Sequence, residues 1–147
     1  MSSNRLYGFL NRCKRAVKAT IPCGLSERHK SIGDTGEKLA VQYFKRAGWK
    51  ILDRNYDRQV GEIDIIGQDQ EGIVHFVEVK TVKDINPGRQ LEPVERVGSQ
   101  KRTRLKRVIS IYVEEQGLYK RSIDWQFDIV EVTLEPFEIK VFENMIL

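Results

Sequence analysis

Apolar and polar positions along the chain alternate with two different periods, and the changes of period divide it into elements. From Arg5 to Thr20, Leu6, Phe9, Leu10, Cys13, Ala16 and Val17 recur at helical spacing among basic residues, until Pro22 and Gly24 break the pattern. This predicts a basic amphipathic helix and a linker, an extension over residues 1–30 ahead of a main domain over 31–147. A second helix is predicted from Thr35 to Ala47, with Asp34 as its cap and Leu39, Ala40, Tyr43, Phe44 and Ala47 as its stripe; Gly48 ends it. Strand-like runs rich in Ile and Val follow at Lys50–Asn55, Val60–Gly67 and Ile73–Thr81, with connections short enough for an antiparallel meander. Residues 84–98, with Asn86, Pro87, Gly88 and Pro93, read as a long loop. Ser99 then caps a helix to about Gln116 that turns Leu105, Val108, Ile109 and Tyr112 inward. Strands at Ile123–Leu134 and Phe137–Phe142 complete the order, with a turn at Glu135 and Pro136.

A chain of 147 residues has room for one core of ordinary size. No apolar run reaches the roughly 18 residues that a membrane helix requires, so integral membrane association is not expected. Cys13 and Cys23 match no zinc or redox spacing, which fits a reducing cytoplasm. The net charge of +4 is unevenly placed: residues 1–30 carry seven Lys or Arg against Glu27 alone, and the remainder holds 18 basic against 20 acidic residues. A second basic patch comprises Arg96, Lys101, Arg102, Arg104, Lys106 and Arg107, with no acid between them. Clustered cations of this kind bind polyanions by releasing counterions from phosphates, although a solvated helix face produces the same pattern.

The candidate chemistry lies in the second and third strands of the meander. Alternation places Glu62 and Asp64 of GEIDII on one face, and Phe76, Glu78 and Lys80 of HFVEVKT on one face with Val77 and Val79 opposite. Glu78 and Lys80 are then roughly 6 to 7 Å apart at Cα. Ionised carboxylates in apolar strands are costly unless paired or bound to a cation. Mg²⁺ (or Mn²⁺) held by Asp64, Glu78 and the carbonyl of Val79 would answer that need, with Lys80 beside it to orient a water and stabilise charge on a phosphate. The alternative is an internal Glu78–Lys80 ion pair with Asp64 at a strand end facing solvent. Glu37 borders the buried face of its helix and could complete the site, or it could close a capping box with Asp34. His75 reads as a packed or surface histidine, Asp128 as an edge-strand acid ahead of another active-site neighbour, and Trp49, Trp125 and Phe127 as core aromatics ahead of base-stacking platforms.

G-E-x-x-A at 36–40, the Gly48–Asn55 segment, GEIDII, FVEVK, Lys101 and FDIV at 127–130 together resemble the YraN-like family. These are bacterial proteins grouped with the PD-(D/E)XK nucleases and similar to archaeal Holliday junction resolvases. The resemblance spans about residues 31–133. It implies an α/β, restriction-endonuclease-like mixed sheet flanked by helices, metal ligation by Asp64 and Glu78, a catalytic lysine at Lys80, a helix acid at Glu37 and a supporting role for Glu62. Three features depart from the family: Val82 and Gln126 stand where Arg is usual, and the basic N-terminal segment is extra. The resulting expectation is a divalent-metal-dependent endonuclease acting on nucleic acid, DNA ahead of RNA and with branched DNA among the candidate substrates, which would work as a homodimer if it cuts junctions. The competing expectation is a non-catalytic nucleic-acid-binding or assembly module.

Overall fold

The computed structural model describes residues 13–17, 32–84 and 97–147. The elements in chain order are β1 Cys13–Val17, α1 Ile32–Arg46, β2 Lys50–Arg58, β3 Gly61–Gln68, β4 Val74–Asp84, α2 Ser99–Glu115, β5 Trp125–Glu135 and β6 Phe137–Phe142. They build one sheet in the order β1-β6-β5-β4-β3-β2. As the short connections predict, β2, β3 and β4 form an antiparallel meander. β5 then lies parallel to β4 after the α2 crossover, and β6 returns antiparallel to it.

Each helix covers one face. α1 lays Leu39, Ala40, Val41 and Phe44 over Ile65, Val77, Val130, Val132, Ile139 and Val141. On the other face, α2 sets Leu105, Val108, Ile109 and Tyr112 against Tyr56, Ile63, Ile66, Phe76, Phe127 and Ile129. Parallel strands with both faces covered need apolar residues on both sides, and β4 and β5 supply them: Phe76, Phe127 and Ile129 toward α2, and Val77, Val130 and Val132 toward α1. The α/β class and the helix-flanked mixed sheet are therefore as expected. Among the described residues no helix is long and apolar enough to cross a membrane.

Several local expectations need correction. Cys13–Val17 is a strand rather than part of a helix: it pairs antiparallel with β6 through Cys13↔Phe142, Ala16↔Lys140 and Val17↔Ile139. An open sheet edge offers a short segment backbone hydrogen bonds that an isolated helical turn cannot match. The rest of the expected N-terminal helix, and residues 85–96 of the expected loop, lie outside the described residues. α1 begins at Ile32, which places Asp34 in its first turn rather than at a cap. Gly98, not Ser99, is the cap residue of α2, and it makes no side-chain cap bond. Asp128 is not an edge-strand acid: β5 lies between β4 and β6, and Asp128 is fully buried.

α1 approaches β4 very closely at one point. A Cβ at Gly36 would fall 1.9 Å from the Thr81 hydroxyl, so only glycine lets the helix pass there. This contact fixes Glu37, the next residue, over the part of the sheet that carries the acids.

Candidate active site

The acids gather where the sheet opens. β3 and β4 pair from Gln68↔Val74 to Ile65↔Val77, and no pairing between them is recorded beyond Ile65. β2 stays paired with β3 to Arg58↔Gly61. Within that ribbon Asn55, at φ 51, falls between the pairs Arg54↔Ile65 and Tyr56↔Ile63, opposite Asp64. Strict alternation would put Ile63 and Ile65 in one layer, yet Ile63 and Ile66 join the α2 layer and Ile65 the α1 layer. The strand thus turns over at Asp64, facing a residue in the left-handed conformation that asparagine tolerates better than most. Glu62 and Asp64 therefore do not share a face in the simple way that alternation predicts.

Into the opening Asp64 sends Oδ2, which accepts the Val79 N–H at 2.7 Å. Its pKa is pushed up to about 7, first by burial and then by the charge of Glu78; the Val79 N–H and Lys101 act against the rise. It does not face solvent as an isolated strand-end acid would. Glu78 is more deeply set, its side chain only 2% exposed. Its Oε1 accepts a hydrogen bond from the Lys101 ammonium of α2, and Lys80 Nζ stands 3.7 Å from the same oxygen. Glu78 Oε2 is buried without a hydrogen-bond partner. The Glu78–Lys80 pair foreseen as an alternative is thus present, but it is long, and Lys101 makes the direct contact. Glu37 does not close a capping box with its side chain free for the helix end: its Oε2 accepts the Asn55 amide at 3.0 Å, and the same amide lies 3.5 Å from Glu62 Oε1.

The model of the uncharacterised protein family UPF0102 matches residues 36–132. The chain belongs to this family. A UPF0102 protein of Clostridioides difficile is 42% identical over 106 residues, covering 72% of this chain and 88% of the relative. Another, from Alkaliphilus metalliredigens, is 40% identical over 105 residues, with 71% and 87% covered. A third, from Dictyoglomus turgidum, is 39% identical over 108 residues, with 74% and 86% covered. Among solved structures, one described as the EndoMS-dsDNA2 complex aligns at 15% identity with a TM-score of 0.36, over 71% of this chain and 47% of that one. The UPF0102 match contains every acid of the opening, from Glu37 to Glu78, together with Lys80 and Lys101.

In this UPF0102 chain the basic residues of α2 divide between the acid site and the surface. Lys101 turns to Glu78. Arg104 packs its Cβ near Gly61 in the β2–β3 turn. Lys106 borders a groove of about 470 Å³ with Ile109, Trp125, Phe127 and Met145, and the groove contains none of the acids. Arg104, Lys106 and Arg107 are exposed and Arg102 half-buried, while Arg96 lies outside the described residues. Trp125 is at the surface, edge-on to Phe76, rather than in the core.

A second polar cluster lies on the α1 face, at the other end of β4. His75 is packed as expected, but between two acids: Nδ1 is 2.6 Å from Asp128 Oδ2 and Nε2 is 3.2 Å from Asp69 Oδ2. Trp49 lies against the ring at 4.0 Å. Asp128 Oδ1 also accepts the Gln126 amide and the Asn144 N–H, both at 2.9 Å. Both ring nitrogens of His75 and all four carboxylate oxygens of Asp69 and Asp128 have partners, so the cluster reads as a structural clamp. Asn55 and the Lys101–Glu78 contact are the site features that sequence reasoning did not single out. A lone Asn in a strand-forming run was the available signal for the first; nothing local signals the second.

Proposed function

We propose that this chain is a divalent-cation-dependent endonuclease that hydrolyses phosphodiester bonds in DNA. The observation that carries the reading is Glu78 Oε2, a buried carboxylate oxygen with no partner, in the same opening as an Asp64 whose charge is disfavoured by burial and by Glu78 itself. An unpartnered carboxylate oxygen beside a second carboxylate offers the hard donors that Mg²⁺ or Mn²⁺ takes, so the residues fit such an ion. Asp64 and Glu78 would hold it, with the Val79 carbonyl as a third donor, and it would supply Lewis acidity to a phosphate ester.

The chain's own groups supply the rest. Lys80, with its ammonium beside Glu78 and 37% exposed, can reach a phosphate oxygen and offset the charge that builds there during attack by water. The Asn55 amide donates to Glu37 and reaches toward Glu62, which holds the Glu37 carboxylate against the ribbon opposite Asp64. Arg102, Arg104, Lys106 and Arg107 can hold the nucleic-acid backbone at several phosphates on either side of α2, a footprint that positions a substrate without reading its sequence. Branched DNA cut at two symmetric points would require two copies of the chain. The cytoplasm is the compartment that suits this activity and the two unpaired-spacing cysteines.

A non-catalytic nucleic-acid-binding module is the second reading, favoured by the Lys101–Glu78 pair, which neutralises Glu78 within the chain itself. Incubation with labelled duplex, flap and four-way DNA in Mg²⁺ or Mn²⁺ separates the two. Cleavage that disappears in EDTA and in D64N supports the nuclease. Salt-sensitive binding without cleavage of any substrate, or cleavage undiminished in D64N, rejects it.

A further inference from the structure

Glu78 meets two ammonium groups of different origin. Lys80 belongs to the same strand, two residues on, where pairing of Lys80 with Glu131 fixes its backbone. Lys101 comes across from α2 and hydrogen-bonds Oε1 directly. Its side chain is 45% exposed, so the head of this long, flexible group can leave the carboxylate and return to water. The neighbouring oxygen, Oε2, has nothing. A buried carboxylate therefore keeps one oxygen neutralised by a retractable group and the other unpartnered.

We infer that Lys101 is a resident counter-ion of the acid cluster, which a divalent cation must displace in order to use Glu78. The inference rests on the proposal that Asp64 and Glu78 hold such a cation. An ion arriving at the buried Oε2 meets the Lys101 charge across a single carboxylate, close enough for the two cations to repel. Either the ion binds weakly or the ammonium withdraws. Withdrawal is the less costly course, because Glu78 exchanges one positive partner for another and Lys101 regains its hydration. Lys101 thus keeps the metal-free protein from burying an unpaired charge and sets the threshold for cation binding. This makes it a positioning residue rather than a catalytic one.

The test is a titration of the full chain with Mn²⁺ alone, read by electron paramagnetic resonance of the free ion. K101M and K101Q should each bind Mn²⁺ about tenfold more tightly than the parent chain, since a like charge has been removed. K101R should stay near the parent value, and D64N should bind far more weakly. On the unaltered chain, acetylation of Lys101 followed by mass spectrometry should quicken when Mn²⁺ replaces EDTA, because the amine has been released. That measurement decides the matter even if K101M and K101Q fail to fold. Unchanged or weaker Mn²⁺ binding in K101M and K101Q, or unchanged acetylation, with D64N still impaired, overturns the role of Lys101 and leaves the cation proposal standing. D64N binding as tightly as the parent, or no Mn²⁺ binding by any chain, overturns both.

Discussion

Asp64 accepts the backbone N–H of Val79 at 2.7 Å across the point where recorded pairing between β3 and β4 stops. A side chain thereby takes over a bond that the partner strand would otherwise make, and the carboxylate is drawn into a setting that resists its charge. Its pKa is raised from the ordinary 3.8 to about 7, so the folded protein holds this proton more tightly than the unfolded chain does. The associated stabilisation is complete below 3.8 and is lost as pH rises through about 7. D64N, which keeps an oxygen for the Val79 N–H, should be more stable than the parent at about pH 8.5 in EDTA, by on the order of 2 kcal/mol. The gap should narrow toward about pH 5. Urea denaturation across that range measures it, and a gap independent of pH contradicts the assignment.

Asn55 combines a backbone requirement with an amide bridge, and two substitutions separate these. N55G tolerates φ 51 but removes the contacts to Glu37 and Glu62. N55A should lose stability, by about 1 kcal/mol for the left-handed backbone. N55G should stay folded yet cut DNA about tenfold more slowly, if misplacing the acids is what matters. Full activity in N55G would show that the bridge is dispensable.

Burial pulls the His75 pKa down, but hydrogen bonds and charges from Asp128 and Asp69 outweigh it, and the net shift is upward from 6.5. The stabilisation from this imidazolium is complete below 6.5 and fades as pH rises through the folded-state value. H75Q should therefore cost on the order of 3 kcal/mol in mildly acidic buffer, since it leaves buried carboxylates without their cation, and less in alkaline buffer. Denaturation midpoints of both proteins on each side of neutrality check the sign. A cost that grows with pH would refute it.

Gly36→Ala should destabilise the protein by on the order of 2 kcal/mol, because the added methyl meets the Thr81 hydroxyl and neither backbone can easily retreat. Thermal melting tests this, and G36A melting like the parent would mean that α1 can slide.

Much of this architecture was legible from residue patterns. The meander, both described helices and β5–β6 follow from periodicity, and Asp64, Glu78 and Lys80 stand out because charges in apolar strands demand an explanation. What escaped the reading depends on contacts between distant parts of the chain. Nothing in WQFDIV distinguishes an edge strand from a central one, yet the parallel crossover puts β5 between β4 and β6 and buries Asp128. Composition alone groups Lys101 with its basic neighbours, but helical rotation turns it onto Glu78 while Arg104 lies by Gly61 and Lys106 borders the Trp125 groove. Residues 13–17 carried a helical pattern and became a strand because β6 had an edge to offer.

The Lys101–Glu78 contact also bears on how α2 finds its seat. One turn later along the helix stands Leu105, which is apolar and packed in the core on that face. A helix docked a turn out of step would press hydrocarbon against the Glu78 oxygen that Lys101 now satisfies. Such misalignment would strand a buried anion, so the ammonium adds a polar penalty to the apolar packing that already seats α2.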